Sequence, residues 1–319
     1  MLIGITGATG GLGRRLTEIL LERGCSVRCL IRNGSNLNVS KSENVEIVTG
    51  TLSDVYSLAK FVKGVDICVH IAAQVTSTSK EALFETNVTG TRNLCKAIEE
   101  NNRSCRLVHC SSIVVRELLF YQKPFVSDYT MSKYYAEQVV DQYSNRIKTT
   151  IIYPGYIFGK YDRALMPYII DMLQNGLKFW IRGGEKNAPI IYVDDLCELF
   201  YQVIMNKDTV GKKYVSLERQ EKGMHHVIKL IASRLNYPVP QKVYPKCVIR
   251  IYLKFNALLS TWFGAKKIKM SLRSLNILSN HAKHFNNAFD DIGWKQRYTL
   301  DEIVMTALDD YLQYRKDNS

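Results

Sequence analysis

At 319 residues, 46% hydrophobic and 23% charged, the chain is long and apolar enough to bury a core in one or two closely joined domains, which excludes a disordered protein. The apolar run 2–5 is cut short by glycines, no apolar run is long enough to cross a bilayer, and the eight cysteines include no C-x-x-C pair, so a cytoplasmic protein with core thiols is the expectation. The net charge of +13 is uneven: twelve Lys and Arg and no Asp or Glu stand between Lys222 and Phe289, so an anionic partner would meet that stretch.

The chain opens on a short apolar strand over 3–6, then Gly7, Gly10 and Gly13, then a helix over 11–23. Glycines at a strand end let the backbone approach a pyrophosphate, and the following helix aims free N–H groups and its positive dipole end at the charge. A second strand over 27–31 arrives after one helix length, as a βαβ unit requires. Strands over 45–48, 67–71, 107–110 and 149–153 then alternate with helices over 54–62, 81–101 and 129–145. Such alternation predicts an α/β fold of Rossmann type, a doubly wound parallel sheet with helices on both faces.

Beyond Pro154 the pattern loosens into a helix over 164–176, a strand over 189–193, a helix over 194–206, a basic region and a last helix over 299–314. The predicted division is an NAD(P)-binding domain over 1–154, completed by 189–217, and a smaller C-terminal substrate-binding subdomain over 155–188 and 218–319.

Tyr129 and Lys133 are the sharpest catalytic candidates, because residues four apart on a helix share a face. Free tyrosine ionises near 10, and a neighbouring ammonium together with an oxidised nicotinamide favours the phenolate, so Tyr129 could exchange a proton with a substrate hydroxyl or carbonyl. Ser111 and Ser112 follow the strand over 107–110, at the carboxyl edge where open α/β sheets bind ligands. His70 and His109 sit inside buried-looking strands and read as packed side chains. His225, His226, His281 and His284 complete no metal-ligand spacing, so no metal is assigned.

Seven ordered segments carry a resemblance: T-G-A-T-G-G-L-G at 6–13, D-I-C-V-H-I-A-A at 66–73, E-T-N-V-T-G-T-R-N-L at 85–94, V-H-C-S-S at 108–112, Y-T-M-S-K at 129–133, Y-P-G-Y-I-F-G at 153–159 and I-Y-V-D-D-L at 191–196. Over roughly its first 200 residues the chain resembles the extended short-chain dehydrogenase/reductase superfamily, also called the NAD-dependent epimerase/dehydratase family. The resemblance implies a catalytic set of Ser112, Tyr129 and Lys133. It implies cofactor contacts from Gly7, Thr9, Gly10, Gly11, Leu12, Gly13, Thr51, Leu52, Ala72, Ala73, Asn87, Tyr129, Lys133 and Pro154, with Lys133 holding the nicotinamide ribose.

Four positions depart from the family pattern. Arg32 stands after the second strand where a carboxylate would accept the ribose 2′-hydroxyl; a guanidinium suits a 2′-phosphate, so NADP is expected, with NAD as the alternative and Arg14 or Arg15 as a second contact. Thr51 replaces an acidic residue near the adenine, and Tyr153 replaces an Arg. Ala188-Pro189-Ile190 stands where sugar-nucleotide enzymes tend to carry an Arg, which weakens that substrate class.

The stretch 246–263 reads as a helix, apolar over most of its circumference, with Lys246, Arg250 and Lys254 in one stripe and Lys266, Lys267 and Lys269 beyond. Three readings stay open: peripheral membrane contact through 246–269, a lid over an apolar cavity, and an ordinary helix with solvated lysines. Nucleic acid fits worst, since polar base-reading side chains are lacking. The expected function is an NAD(P)-dependent oxidoreductase interconverting a secondary alcohol and a ketone on a largely apolar small-molecule substrate, similar to the steroid- and flavonol-type reductases, with a homodimer as the expected assembly. The alternatives are a nucleotide-sugar epimerase, dehydratase or reductase and, against the Tyr/Lys pair, a cofactor-sensing module without catalysis.

Overall fold

The computed structural model describes residues 1–37, 39, 43–75, 79–121, 127–252, 277–279 and 281–317. Most of the basic helix expected over 246–263, including Lys254, and all of Lys266, Lys267 and Lys269 lie outside the described residues. The chain divides into two compact units. The first comprises Met1–Gly155, Val193–Ser216 and Asn286–Gln296, and the second Tyr156–Tyr192, Leu217–Phe285 and Arg297–Ser319.

The first unit is a seven-stranded, all-parallel sheet. Its strands are β1 (Leu2–Thr6), β2 (Ser26–Ile31), β3 (Val45–Thr49), β4 (Ile67–His70), β5 (Arg106–Cys110), β6 (Thr149–Tyr153) and, after three short strands of the second unit, Lys213–Val215. With β7 (Tyr156–Phe158), β8 (Trp180–Ile181) and β9 (Ile190–Tyr192) counted in chain order, that last strand is β10, and the sheet runs β10-β6-β5-β4-β1-β2-β3. The direction of winding reverses between β1 and β4, so a crevice opens at their carboxyl ends. Residues of β4, β5 and β6 are buried at every position, as helices on both faces require, while the edge strand β3 exposes three of its five.

Helices α1 (Gly11–Glu22), α2 (Val55–Val62), α3 (Lys80–Phe84), α4 (Gly90–Asn101), α5 (Ile113–Tyr121) and α6 (Asp128–Tyr143) supply the crossovers, and α7 (Met166–Gln174) and α8 (Val193–Met205) follow. The helix expected over 81–101 is interrupted by one π turn, Glu85–Thr89, and α5 and β10 were not anticipated by the apolar periodicity. β10 contributes only three residues to a ladder set by β6, in the register Lys213↔Ile151 to Val215↔Tyr153. The segment 286–296 joins the first unit through Asn287, which accepts from the Val215 backbone N–H at 2.9 Å, and Trp294, whose indole N–H donates to the Asp195 carbonyl at 3.1 Å.

The second unit has its own core, in which Trp180, Ile181 and Ile190 meet Val227, Ile228 and Ile231 of α9 (Met224–Arg234) and Ile303, Val304 and Leu308 of the last helix, Leu300–Asp317. Two parallel two-stranded ladders stiffen it: β7 with β9, and β8 with β11 (Val243–Tyr244).

Candidate active site

The first turn after β1 is built for close backbone approach. Gly7 sits at φ +79°, and a side chain there would press on the Ala72 backbone at 2.7–2.8 Å. A Cβ at Gly13 would overlap the Gly7 carbonyl oxygen, so α1 packs against the loop only with glycine at that position. The Gly10 N–H donates to the Gly7 carbonyl at 3.0 Å, closing the turn, and no side chain caps the N-terminus of α1 at Gly10. A helix N-terminus without a side-chain acceptor keeps donors available to an anion.

The other candidate residues lie just past the carboxyl ends of neighbouring strands. Arg32 follows β2 and is exposed; Thr51 follows β3 and hydrogen-bonds the Ser53 hydroxyl at 2.9 Å; Ala72 follows β4 and donates its N–H to Thr6 Oγ1 at 3.3 Å; Pro154 follows β6 and accepts from the Ile113 N–H at 2.9 Å. Leu52 packs where a Cβ on Gly90 would stand. Arg15, expected as a second phosphate contact, is instead committed to Asp194 of α8 by two hydrogen bonds of 2.7 and 2.9 Å. That carboxylate holds its guanidinium above the ordinary range, so Arg15 fastens α1 to α8.

Tyr129, Lys133 and Ser112 converge at the end of β5. Ser127, two residues before Tyr129, caps α6 by accepting from the Thr130 N–H at 3.1 Å, so the helix starts at Asp128. The Ser112 side chain lies beside the Tyr129 hydroxyl. Burial and the neighbouring Cys110 push that phenol up to about 12, and the Ser112 hydroxyl offsets part of the rise. One turn on, buried Lys133 donates from Nζ to the Cys110 carbonyl at 2.7 Å, and burial lowers its pKa.

The stripe continues to a residue that sequence reasoning passed over. Glu137, 1% exposed, accepts from Ser111 Oγ at 2.7 Å and from the Tyr153 hydroxyl at 2.5 Å, and Lys213 of β10 stands 3.3 Å from the same carboxylate. Successive turns of α6 thus meet Ser112, bind the Cys110 carbonyl and bind Ser111. The available signal was the spacing, since Glu137 is four residues past Lys133 as Lys133 is four past Tyr129. Tyr153, the departure at the end of β6, fills its place with a neutral hydroxyl and leaves the charge on Glu137 to Lys213.

Asn87, buried within the π turn, joins the two halves of the site. Its Oδ1 accepts from the Gln74 N–H at 2.7 Å, and its Nδ2 donates to the Gln74 carbonyl and to Ser132 Oγ, both at 2.9 Å; Ser132 in turn donates to the Tyr129 carbonyl at 2.8 Å. On the other side Thr91 Oγ1 donates to the Asn87 carbonyl at 2.6 Å and meets His70 Nε2 at 2.9 Å, while His70 Nδ1 meets Thr6 Oγ1 at 2.7 Å. A continuous polar chain therefore runs from the glycine-loop strand to the first turn of α6. A π turn re-aims one residue of a helix, and it is often found at functional positions. His109, packed 5.4 Å from His70, makes no hydrogen bond through either ring nitrogen among the described residues, and burial holds both imidazoles neutral. His225 is bound to the Ile181 carbonyl and His226 to Asp301.

These features agree with what the chain is similar to. Residues 3–215 match the model of the NAD dependent epimerase/dehydratase family. A 4-hydroxy-2-methyl-3-oxo-4-farnesyl-3,4-dihydroquinoline-1-oxide ketoreductase of Stigmatella aurantiaca is 31% identical over 207 residues, a match spanning 61% of each chain. A decarboxylating sterol-4-alpha-carboxylate 3-dehydrogenase of Mus musculus is 25% identical over 98% of this chain and 91% of its own. Among solved structures, gox2253 superposes with a TM-score of 0.78 at 24% identity over 98% of both chains, and the Bordetella bronchiseptica enzyme WbmH, in complex with NAD+, with 0.73 at 19% identity over 98% of this chain and 99% of its own. The chain belongs to the NAD-dependent epimerase/dehydratase family, in the extended short-chain dehydrogenase/reductase superfamily.

Proposed function

We propose that the protein is an NAD(P)-dependent oxidoreductase that interconverts a secondary alcohol and a ketone on a largely apolar substrate, with Ser112, Tyr129 and Lys133 as its catalytic residues. The observation that carries this reading is the meeting of Tyr129 with Ser112 just past β5, with Lys133 one turn on and bound to the Cys110 carbonyl, at the carboxyl edge of the sheet that also bears the glycine loop. The residues present fit a dinucleotide: Gly7 and Gly13 leave no room for side chains, and the start of α1 offers N–H groups to a pyrophosphate. Thr9, Gly11, Leu12, Ala73 and Thr51 would line the same cradle, and Lys133 would hold the nicotinamide ribose.

When bound, the cofactor supplies hydride transfer; the protein supplies placement and a proton path. Tyr129 Oη delivers or removes the proton at the substrate oxygen, and Ser112 Oγ holds that oxygen by a hydrogen bond. Lys133, which would hold the nicotinamide ribose, would lower the cost of ionising Tyr129 through its positive charge. Exposed Arg32, at the end of β2, suits the 2′-phosphate of NADP, which is the proposed preference over NAD.

Two observations support an apolar substrate. The Stigmatella ketoreductase acts, by its name, on a farnesylated quinoline, and the mouse dehydrogenase on a sterol carboxylate. At Ala188 and Ile190 the chain places fully buried apolar side chains where a phosphate-binding cation would be wanted for a nucleotide sugar. The test is to incubate the protein with NADPH or NADH and panels of prenylated ketones, sterol ketones and nucleotide sugars, following the nicotinamide absorbance. Turnover of a prenylated or sterol ketone with NADPH is expected. Turnover confined to nucleotide sugars would reverse the substrate reading, and NADH preference would reverse the role of Arg32.

A further inference from the structure

In the second unit, β11 leads through Pro245 into a helical run over 246–252 whose outer face is apolar. Ile249 turns inward and is 3% exposed, whereas Val248, Ile251 and Tyr252, at i, i+3 and i+4, are 47%, 69% and 47% exposed. Cys247 is exposed beside them. Both residues of β11 are also exposed, Val243 at 46% and Tyr244 at 36%, the latter packed edge-on against Phe179 at 5.9 Å. Scattered exposed apolar residues are ordinary, but three on one helical face, directly after a strand whose two residues are both exposed, make a concentration that a monomer in water seldom keeps.

Tertiary structure brings cations that are distant in sequence to β11. The β8–β11 ladder pairs Trp180 with Val243 and Ile181 with Tyr244; the Trp180 N–H donates to the Lys242 carbonyl at 2.8 Å, and the Arg182 N–H donates to the Tyr244 carbonyl at 2.9 Å. Lys178, Arg182 and Lys242 are all exposed at this ladder, and exposed Lys229 lies over the Trp180 ring at 5.7 Å. The nearest acid in sequence, Glu185, is turned back onto the Gly183 N–H at 2.8 Å. No Asp or Glu occurs from residue 223 to 288. Cations flanking exposed aliphatic and tyrosyl side chains match an anionic bilayer, where the head groups meet the charges and the apolar face enters the acyl boundary.

We infer that the helical face formed by Val248, Ile251 and Tyr252, beside the exposed strand β11 and with Lys178, Arg182 and Lys242 at its ladder, docks the protein reversibly on an anionic lipid surface. This carries the proposed function further, because an apolar substrate partitions into the membrane and a surface-bound enzyme meets it there. The inference stands apart from the redox chemistry, since docking needs neither cofactor nor turnover.

The test is flotation of the full chain with vesicles of phosphatidylcholine alone and of phosphatidylcholine with 30% phosphatidylglycerol, at low and high salt. Binding is expected to the anionic vesicles and to fall about tenfold or more on raising the salt, since screened surface charge supplies much of the attraction. Val248→Asp with Ile251→Asp should abolish it, and Lys178→Gln, Arg182→Gln and Lys242→Gln together should reduce it by on the order of a hundredfold, at about fivefold per cation. Neither set should change NADPH affinity or the urea midpoint. No binding, equal binding to neutral vesicles, or binding untouched by both sets overturns the inference. A concentration-dependent dimer abolished by the Val248/Ile251 substitutions would assign the face to a second copy of the chain. Failure of the ketone assay with vesicle binding intact would count against the proposed reaction alone.

Discussion

Ser111 and Glu137 are joined by a 2.7 Å hydrogen bond between buried groups, one turn of α6 beyond the Lys133 bond to the Cys110 carbonyl. The end of β5 is therefore fixed by α6 at two consecutive residues, and Ser112 reaches Tyr129 from that fixed base. Replacing the carboxylate leaves the Tyr153 hydroxyl and Ser111 without their shared acceptor. Glu137→Ala should lower stability by about 3 kcal/mol, the scale for removing one partner of a buried charged network. Urea unfolding measures it; a loss under 1 kcal/mol would show that the network contributes little.

Tyr129→Phe should cut turnover on any accepted ketone by roughly a hundredfold or more, the scale of a general acid/base contribution, while NADPH affinity measured by fluorescence stays nearly unchanged. Lys133→Ala should damage both. Near-normal turnover in Tyr129→Phe would remove the central residue of the proposed mechanism.

Arg32→Asp should weaken NADPH binding by about tenfold to a hundredfold, as the loss of a charge-assisted hydrogen bond implies, and should improve NADH by supplying an acceptor for the ribose hydroxyl. Titrating both cofactors decides the matter. Equal NADPH affinity in the variant would exclude contact with the phosphate.

Gly13→Ala places a Cβ on the Gly7 carbonyl oxygen, backbone against backbone, with no flexible side chain to yield. Nicotinamide cofactor binding should be lost and the melting temperature should fall. An unaltered affinity would mean that the loop does not meet the pyrophosphate.

Stability should follow a dome in pH. On the acid side, burial holds His70 down to about 3 and His109 well below its usual value. Both are neutral when folded and charge at about 6.5 when unfolded, so their contribution is present above pH 6.5 and is lost as pH falls below it. On the alkaline side, burial raises the thiols of Cys29, Cys95 and Cys105 to about 12 and that of Cys110 to about 11, and raises Tyr129 to about 12. These groups stay protonated when folded, so stability is present below the unfolded values near 9 and 10 and is lost as pH rises through them, at up to about 1.4 kcal/mol per pH unit for each group. Urea midpoints from pH 4 to 11 test both limbs, and a flat profile above pH 9 would contradict the burial of the thiols.

What the sequence determined by itself is whatever is encoded over short spacings. The glycines at 7, 10 and 13, the strand periodicity that yields β1 to β6, and the four-residue step from Tyr129 to Lys133 are local patterns. Backbone sterics and helix geometry turn each of them into structure with little help from the rest of the chain. Tertiary structure decided what joins distant residues. Arg15 was free in sequence for a phosphate, but the packing of α1 on α8 gave it Asp194. Glu137 became a clamp only because β5, β6 and β10 each carried a partner to the same buried carboxylate, through Ser111, Tyr153 and Lys213. A hydrogen bond between Thr6 and His70, 64 positions apart, is likewise set by strand order, which no apolar period records. The basic stretch shows the same division: its sign of charge was plain in the sequence, but the meeting of Lys178 and Arg182 with the exposed strand at 243–244 depended on the pairing of β8 with β11.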